Sequence, residues 1–303
     1  MKKCDKIAIV ATARKVSPEE IQPTVELFRS WGLEVVYDDR LFAADNQFAG
    51  SDDLRADVLQ HYLDNPDIKA IVCARGGYGT VRIIDRLDFS AFARHPKWIV
   101  GYSDVTVLHS HINKNLGIST LHATMPLNIP ANATGKPYPS TESLKAALFG
   151  NLHGYNALQL HAPSSQLNRP GRCRGQLVGG NLSILYSLCG SASDIDTAGK
   201  ILFIEDLDEY LYHIDRMMQN LKRTGKLHVL KGLLVGAMSD MHDNAIPFGK
   251  TAEEIVVEAV ADYDYPVLFC QNFGHVGTEN LALPLGVEVE LSVDEDGAEI
   301  KIG

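Results

Sequence analysis

The chain has 303 residues, 45% of them hydrophobic, which is enough for one large domain or for two domains that each bury a core. Its formal net charge of −10 argues against a nucleic-acid partner, and no basic cluster offsets that charge. No apolar run is long enough to cross a bilayer, and Cys4-Asp5-Lys6 stands where a signal peptide would have its apolar segment, so we expect a cytoplasmic protein without a membrane partner.

The first forty residues predict a strand, a helix and a second strand. Ile7–Val10 is a short apolar run, and Leu33–Tyr37 is another. Between them Ser17 and Pro18 form a helix start, with Pro at the first helical position, and Gly32 ends the helix. This alternation favours a parallel α/β sheet.

A glycine-rich segment follows the next predicted strand. Ser51 begins a helix, and the strand Ala70–Cys73 runs directly into the segment Ala74–Thr80, which reads Ala-Arg-Gly-Gly-Tyr-Gly-Thr and precedes a predicted helix around Ile83–Leu87. Backbone N–H groups in such a loop can bind a phosphate or donate to an oxyanion. The segment matches neither common nucleotide-binding pattern, and a simple tight turn is an equal alternative.

The segment around Ser103 predicts a strand, a sharp turn and a helix. Trp98–Val100 is the end of a buried strand, Gly101 permits the turn, and Ser103 lies at its apex. This arrangement is typical of a nucleophile elbow, although Val105 replaces the second glycine of the usual motif. The alternative is that Ser103 or Asp104 only caps the helix.

The composition changes in the middle of the chain. Residues 131–170 begin with a stretch rich in Pro, Asn, Gly and Ala, and His161–Arg174 is again loop-like. We therefore predict a linker over 131–170 between an N-terminal α/β domain, 1–130, and a C-terminal domain, 171–303.

The second half predicts alternating helices and strands and a final hairpin. Its predicted elements are helices beginning near Asn181, Leu211 and Thr251, strands at Lys200–Ile204, Val229–Val235 and Pro266–Phe269, and a hairpin of Val287–Leu291 with Ala298–Ile302 that turns at Asp296-Gly297.

Three groups able to perform serine hydrolysis follow predicted strands. Ser103, Glu205 and His275 can supply a nucleophile, an acid that orients the base, and the base. Active sites of open α/β sheets form at the carboxyl ends of strands. Two alternatives stay open: the acidic run that begins at Glu205 as a solvated helix start, and His275 as an ordinary surface histidine.

A metal site is a weaker possibility. Asp240, His242 and Asp243 form a short loop of possible ligands, but no partner motif accompanies them. The five cysteines are scattered and odd in number, and we interpret them as buried thiols rather than as disulfides or zinc ligands.

Five segments together carry a recognisable pattern. They are Ala74–Gly79, Gly101–Asp104, Gly179–Ser183, Phe203–Asp206, and Gly274-His275 with Asn280. This combination resembles the LD-carboxypeptidases, or muramoyl-tetrapeptide carboxypeptidases, a family of serine peptidases. The resemblance extends from Ile7 to about Gly286.

The resemblance implies an α/β fold, with an N-terminal flavodoxin-like parallel-sheet domain and a C-terminal swivelling β/α domain. It implies that Ser103, Glu205 and His275 form the catalytic triad. It also implies that the backbone N–H groups of Gly77 and Asp104 are the oxyanion donors.

By the same resemblance, the protein would be a cytoplasmic serine carboxypeptidase that removes the terminal D-alanine of murein tetrapeptides in cell-wall recycling. It would need no metal or organic cofactor and could form a homodimer. We expect Arg75, Gly76 and Tyr102 to contact the substrate.

Two other functions fit the same sequence. Relatives of microcin self-immunity proteins cleave a peptidyl- or aminoacyl-nucleotide, which an aromatic residue in the linker would favour by stacking on the base. The aromatic candidates there are Tyr138, Phe149 and Tyr155. A non-catalytic two-domain protein that binds a small ligand is the other alternative.

Overall fold

The computed structural model describes residues 1–160, 167–294 and 297–303. Residues 161–166 of the predicted linker and Asp296 of the predicted hairpin turn lie outside the described residues. The chain divides into two compact units, and the final third of the chain returns briefly to the first one. The units are Met1–Leu152 with Gly277–Pro284, and His153–Val276 with Leu285–Gly303.

The strands of the described residues are numbered in chain order. They are β1 (Lys6–Val10), β2 (Glu34–Val36), β3 (Ile68–Cys73), β4 (Trp98–Gly101), β5 (Thr120–His122), β6 (Gly154–Tyr155), β7 (Gly171–Asn181), β8 (Ile201–Leu207), β9 (Gly232–Ser239), β10 (Val267–Phe269), β11 (Leu283–Leu285), β12 (Val287–Val293) and β13 (Ala298–Ile302).

The α-helices are numbered in the same way. They are α1 (Pro18–Ser30), α2 (Asp52–Asp64), α3 (Ser90–Arg94), α4 (Thr106–Leu116), α5 (Pro139–Leu148), α6 (Leu182–Ser187), α7 (Leu211–Arg223) and α8 (Ala252–Ala259). In the described part of the chain, none of these helices is long and apolar enough to span a membrane.

The first sheet has the order β11-β5-β4-β3-β1-β2. Neighbouring strands from β2 to β5 are parallel. The order β2-β1-β3-β4-β5 is that of flavodoxin-like sheets, as predicted for this part of the chain. Ligands of such sheets bind beyond the carboxyl ends of β1 and β3, where the strand order reverses. The loops that follow these two strands, together with the loop after the adjacent β4, therefore lie at the edge of the sheet where a ligand would bind.

Local sequence signals explain where the first helices begin. The Ser17 hydroxyl accepts a hydrogen bond from the Glu20 N–H at 3.3 Å, and the Glu20 carboxylate accepts one from the Ser17 N–H at 2.7 Å. Ser51 likewise accepts from the Leu54 N–H at the start of α2. Both helix starts confirm the sequence prediction.

The predicted helix after the glycine-rich loop is wrong. The chain forms two short 3-10 turns instead, Thr80–Arg82 and Ile84–Arg86. Gly79, with φ of +150°, precedes the first turn, and the Asp88 carboxylate accepts a hydrogen bond from the Ser90 N–H just where α3 begins. The second turn ends at Leu87, whose backbone is extended, with φ of −92° and ψ of 136°.

The first unit extends beyond the boundary drawn at residue 130. Helix α5, inside the predicted linker 131–170, packs Leu144 and Leu148 into the same core cluster as Phe28 of α1. Both leucine side chains are fully buried, so this helix is part of the first unit's core rather than of a connection.

The second unit contains a mixed sheet with the order β10-β9-β8-β7-β12-β13-β6. Strands β7 to β10 are parallel, whereas β12 pairs antiparallel with both β7 and β13. The antiparallel pairing of β12 with β13 confirms the predicted hairpin strands. Helices α6, α7 and α8 bury their apolar faces on the parallel part of the sheet. As in the first sheet, candidate site residues lie at the carboxyl ends of parallel strands, which here are Glu205 near the end of β8 and His275 in the loop after β10.

Candidate active site

Ser103 occupies a strained turn at the end of β4. Its φ of +62° is rare for a residue other than glycine. Such strain is typical of a nucleophile elbow, in which a serine hydroxyl projects beyond the edge of a sheet. A Cβ atom on Gly101 would lie 2.8 Å from Cγ2 of Val105. The turn therefore requires glycine at position 101.

Helix capping does not explain Ser103 and Asp104. The N-cap positions are Tyr102 for the 3-10 turn Ser103–Val105 and Val105 for α4. The Asp104 carboxylate is buried and accepts a hydrogen bond from the Thr80 N–H at 2.9 Å, and its burial raises its pKa. This bond ties the elbow to the end of the glycine-rich loop.

His109 forms a hydrogen bond with the backbone of the turn before Ser103. Its Nε2 lies 2.9 Å from the carbonyl oxygen of Gly101, and the ring is fully buried in α4. Burial lowers the pKa of His109 to about 3, so the ring is neutral and Nε2–H donates to that carbonyl. Sequence reasoning missed His109, although its position one helical turn after Val105 places it on the face of α4 that packs on β4.

The glycine-rich loop packs directly against Ser103. A Cβ atom on Gly76 would lie 2.9 Å from Cβ and 3.0 Å from Oγ of Ser103. Gly77 and Gly79 have φ of +105° and +150°, which L side chains rarely adopt. The loop is therefore a tight turn whose backbone lies beside Ser103. Its glycines can satisfy the needs of a tight turn and still present backbone N–H groups to an oxyanion.

The other predicted substrate contacts have partners within the first unit. Nη1 of Arg75 donates to the carbonyl oxygen of Lys15 at 3.3 Å. The Tyr102 hydroxyl donates to Oδ1 of Asn128 at 3.1 Å, and its ring packs edge-on against His122. Direct contact of Arg75 and Tyr102 with a substrate stays a prediction.

Glu205 and His275 form a buried pair in the second unit. Nδ1 of His275 lies 2.7 Å from Oε2 of Glu205, whose side chain is 0% exposed, against 13% for His275. Glu205 lies in β8, where the pairing with β9 shifts register. Asp206 is buried as well. The alternatives of a solvated acidic run and an ordinary surface histidine are therefore wrong.

Two glycines make room for this pair. A Cβ atom on Gly274, whose φ is +108°, would lie 2.6 Å from Oε2 of Glu205. A Cβ atom on Gly236 would lie 2.6 Å from the carbonyl oxygen of Phe273 and 3.0 Å from Cβ of Glu205. Only glycine at these positions lets the backbone before His275 pass so close to the carboxylate.

The charges around His275 favour a protonated imidazole. Burial lowers its pKa, but the charge and hydrogen bond of Glu205 and the charge of Asp206 outweigh burial, and the net pKa lies above 6.5. Burial and the Glu205 charge raise the pKa of Asp206 to about 7, against three N–H donors from Asn181, Ser183 and Leu207. The second unit thus holds a base whose charged form is stabilised.

The metal alternative finds no support in the described residues. Nε2 of His242 lies 2.5 Å from Oδ1 of Asp208, and Asp243 accepts hydrogen bonds from the N–H groups of Asn244 and Phe248. Across residues 1–160, 167–294 and 297–303, no group of three or more His, Cys, Asp and Glu side chains can hold a metal ion.

Sequence comparison identifies both halves of the chain. Residues 7–123 match the model of the LD-carboxypeptidase N-terminal domain, and residues 174–291 match that of the LD-carboxypeptidase C-terminal domain. A probable murein peptide carboxypeptidase of Bacillus subtilis is 34% identical over 307 residues, covering 100% of this chain and 93% of that protein.

Solved structures show the same fold. A muramoyltetrapeptide carboxypeptidase from Oxalobacter formigenes superposes with a TM-score of 0.86 at 26% identity, covering 98% of each chain. The microcin C7 self-immunity protein MccF superposes with a TM-score of 0.85 at 22% identity, covering 100% of this chain and 97% of that one. At that identity the second match shows the fold alone.

We expect Glu205→Gln to lower the pKa of His275 below that of the wild type, because burial would then act against a weaker opposing charge. An NMR titration of the imidazole measures this. Glu209→Gln is the matched control, since its carboxylate lies 2.6 Å from Nδ1 of His213 instead. An unchanged His275 pKa in Glu205→Gln would contradict the pairing.

We expect Gly274→Ala to destabilise the second unit, because its methyl group would overlap the Glu205 carboxylate and its φ is strained. The loss should be about 2 kcal/mol or more, measured by urea unfolding. Gly190→Ala, in the same unit, is the control: its φ is also positive, at +82°, but nothing lies within 4 Å of the added methyl group. Equal losses would show that crowding at Glu205 has no effect.

Proposed function

The chain belongs to the LD-carboxypeptidase family, and from this premise we propose that it is a serine carboxypeptidase that removes the terminal D-alanine of murein tetrapeptides. The observation that carries this proposal is the strained Ser103, with a φ of +62°, at the end of β4 and against Gly76. The murein peptide relative of Bacillus subtilis and the muramoyltetrapeptide carboxypeptidase fold support the substrate class.

In the proposed mechanism, Oγ of Ser103 attacks the carbonyl carbon of the L-configured centre before the D-alanine. Nδ1 of His275 is bound to Glu205, so Nε2 is the atom that accepts the serine proton. The N–H groups of Gly77 and Asp104 stabilise the oxyanion that forms. His275 then delivers its proton to the leaving amine of D-alanine, and an acyl-enzyme remains on Ser103.

Water completes the cycle by hydrolysing the acyl-enzyme, with His275 again acting as the base. Glu205 keeps the imidazole in the tautomer that leaves Nε2 available and stabilises the imidazolium. The raised pKa of His275 makes it a stronger base, at the cost of a smaller neutral fraction at low pH.

We place this reaction in the cytoplasm, in the recycling of wall fragments. None of the five cysteines, all of which lie in the described part of the chain, forms a disulfide, as is common in a reducing compartment. Cys73 and Cys270 are buried, as the sequence predicted, whereas Cys4 is exposed. The homodimer that the resemblance implies stays a prediction, and sedimentation velocity on the purified protein would check it.

A nucleotide substrate finds less support. The Tyr138 hydroxyl donates to Asn132, the Tyr155 ring is buried against Phe273, and Phe149 packs against the first unit's core. These three aromatic rings are therefore engaged in packing or hydrogen bonding within the two units. Cleavage of an aminoacyl-nucleotide but not of a murein peptide would establish the alternative.

We expect Ser103→Ala to abolish both D-alanine release and labelling by a fluorophosphonate, with little change in the thermal unfolding midpoint, because only one hydroxyl is removed. Ser110→Ala, which alters a buried serine of the neighbouring helix α4, is the control and should still be labelled. A folded, unlabelled wild type that releases no D-alanine would favour the non-catalytic binding protein.

We also expect strict stereochemistry. The enzyme should release D-alanine from peptides ending in L-Lys-D-Ala or in diaminopimelyl-D-Ala. Its rate on peptides ending in L-Lys-L-Ala or D-Ala-D-Ala should be lower by a factor of about 100 or more, because a misplaced carboxylate leaves buried polar groups unpaired. Amino-acid release from matched synthetic peptides measures this. Comparable rates on the L-alanine peptide would defeat the assignment even if Ser103 were the nucleophile.

A further inference from the structure

Arg14 lies directly over the predicted oxyanion donor. A Cβ atom on Gly77 would lie 2.6 Å from Cδ and 2.7 Å from Nε of Arg14. Arg14 follows β1 and Gly77 follows β3, so both belong to the loops at the reversal point of the sheet order. This is the position where flavodoxin-like sheets bind their ligands.

The backbone of Arg14 is held in place on both sides. Arg14 forms an antiparallel bridge with Phe48. The Lys15 N–H donates to the carbonyl oxygen of Gln47 at 3.0 Å, and the Ala49 N–H donates to that of Ala13 at 3.1 Å. The start of the side chain is therefore fixed beside Gly77, although the residue as a whole is exposed.

The other arginines around this loop already have partners. Arg55 is buried, donates to the carbonyl oxygens of Thr12 and Gly79, and pairs with Asp52. Arg82 pairs with the same aspartate at 2.8 Å. Arg75 donates to the Lys15 carbonyl, as described above.

Arg14 differs from them in its surroundings. Within residues 1–160, 167–294 and 297–303, no acidic side chain forms an ion pair with Arg14. A guanidinium group without a carboxylate partner, held beside an oxyanion donor, is a ready site for an anionic group of a ligand.

We propose that Arg14 binds the terminal carboxylate of the substrate and so selects peptides with a free C-terminus. This inference rests on the proposed function. In such a substrate only the leaving nitrogen and its α-carbon separate the scissile carbonyl from the carboxylate. A cation beside the oxyanion donor is therefore at the right range, and a guanidinium can bind a carboxylate through two parallel hydrogen bonds.

Arg75, which the sequence predicts to contact the substrate, is the competing cation of this loop, but its guanidinium already donates to the Lys15 carbonyl. A carboxylate bound by Arg14 also explains how an exopeptidase can reject internal bonds. A peptide that continues beyond the cleavage point offers a neutral amide in place of the carboxylate, and the guanidinium then loses hydration without gaining a charged partner.

The test compares a tetrapeptide with a free terminal carboxylate and the same peptide with a terminal carboxamide. Single-turnover measurements with enzyme in excess give kcat/KM for both. We expect Arg14→Gln to lower kcat/KM for the acid by about 100-fold and to change that for the carboxamide little, so that the preference for the acid collapses. Arg14→Lys should keep part of the preference, because the charge remains but the planar fork does not.

Two further variants sharpen the comparison. Lys15→Gln removes the same charge from the next, exposed position and should preserve the preference for the acid. Arg75→Gln tests the competing assignment and should preserve it too. Fluorophosphonate labelling of Ser103 in Arg14→Gln shows that the nucleophile is intact.

The outcomes separate two kinds of failure. If the wild type cleaves the acid and Arg14→Gln keeps the wild-type preference, or if it slows both peptides equally, the assignment of Arg14 is overturned while the proposed function stands. If the preference collapses in Arg75→Gln instead, Arg75 holds the carboxylate. If the wild type releases D-alanine from neither peptide, the proposed function fails and the inference falls with it.

Discussion

Close approach of glycine backbone to reactive side chains is the constraint on which both units depend. A Cβ atom on Gly76 would lie 2.9 Å from Cβ of Ser103, and one on Gly274 would lie 2.6 Å from Oε2 of Glu205. A single methyl group at either place would overlap the Ser103 or the Glu205 side chain. Each glycine-rich stretch is thus a spatial requirement first, and any donation from its N–H groups follows from that proximity.

The burial of two adjacent carboxylates in the second unit costs free energy. Glu205 and Asp206 are adjacent in β8 and both are nearly inaccessible to solvent. Two like charges out of water are unfavourable unless each is compensated. His275 compensates the first, and the side-chain amide of Asn181 and the N–H of Ser183 compensate the second. The start of α6 is therefore coupled to the protonation of the pair, because Ser183 lies in its first turn.

Positive charge is distributed unevenly on this acidic chain. Around the loop after β3, most guanidinium groups pair with Asp52 or donate to backbone carbonyls, and they hold the loops in place. Arg14 is the exception in the described part of the chain. On a chain with a net charge of −10, a cation held over Gly77 is a local exception that would favour the approach of an anionic ligand.

The sequence by itself determined the strands that coincide with apolar runs and the helices that begin at Ser17 and Ser51. It also singled out the segments around Ser103, Glu205 and His275, because periodicity, capping and short motifs are local signals. Only the tertiary structure decided the rest. It replaced the predicted helix after Gly79 with two 3-10 turns, and it placed α5 in the first unit's core. It distinguished Glu205 and Asp206, which are buried, from Asp208, which is exposed, and it placed the Arg14 side chain over Gly77. These outcomes depend on which residues meet across strands that are distant along the chain, and no local pattern encodes that.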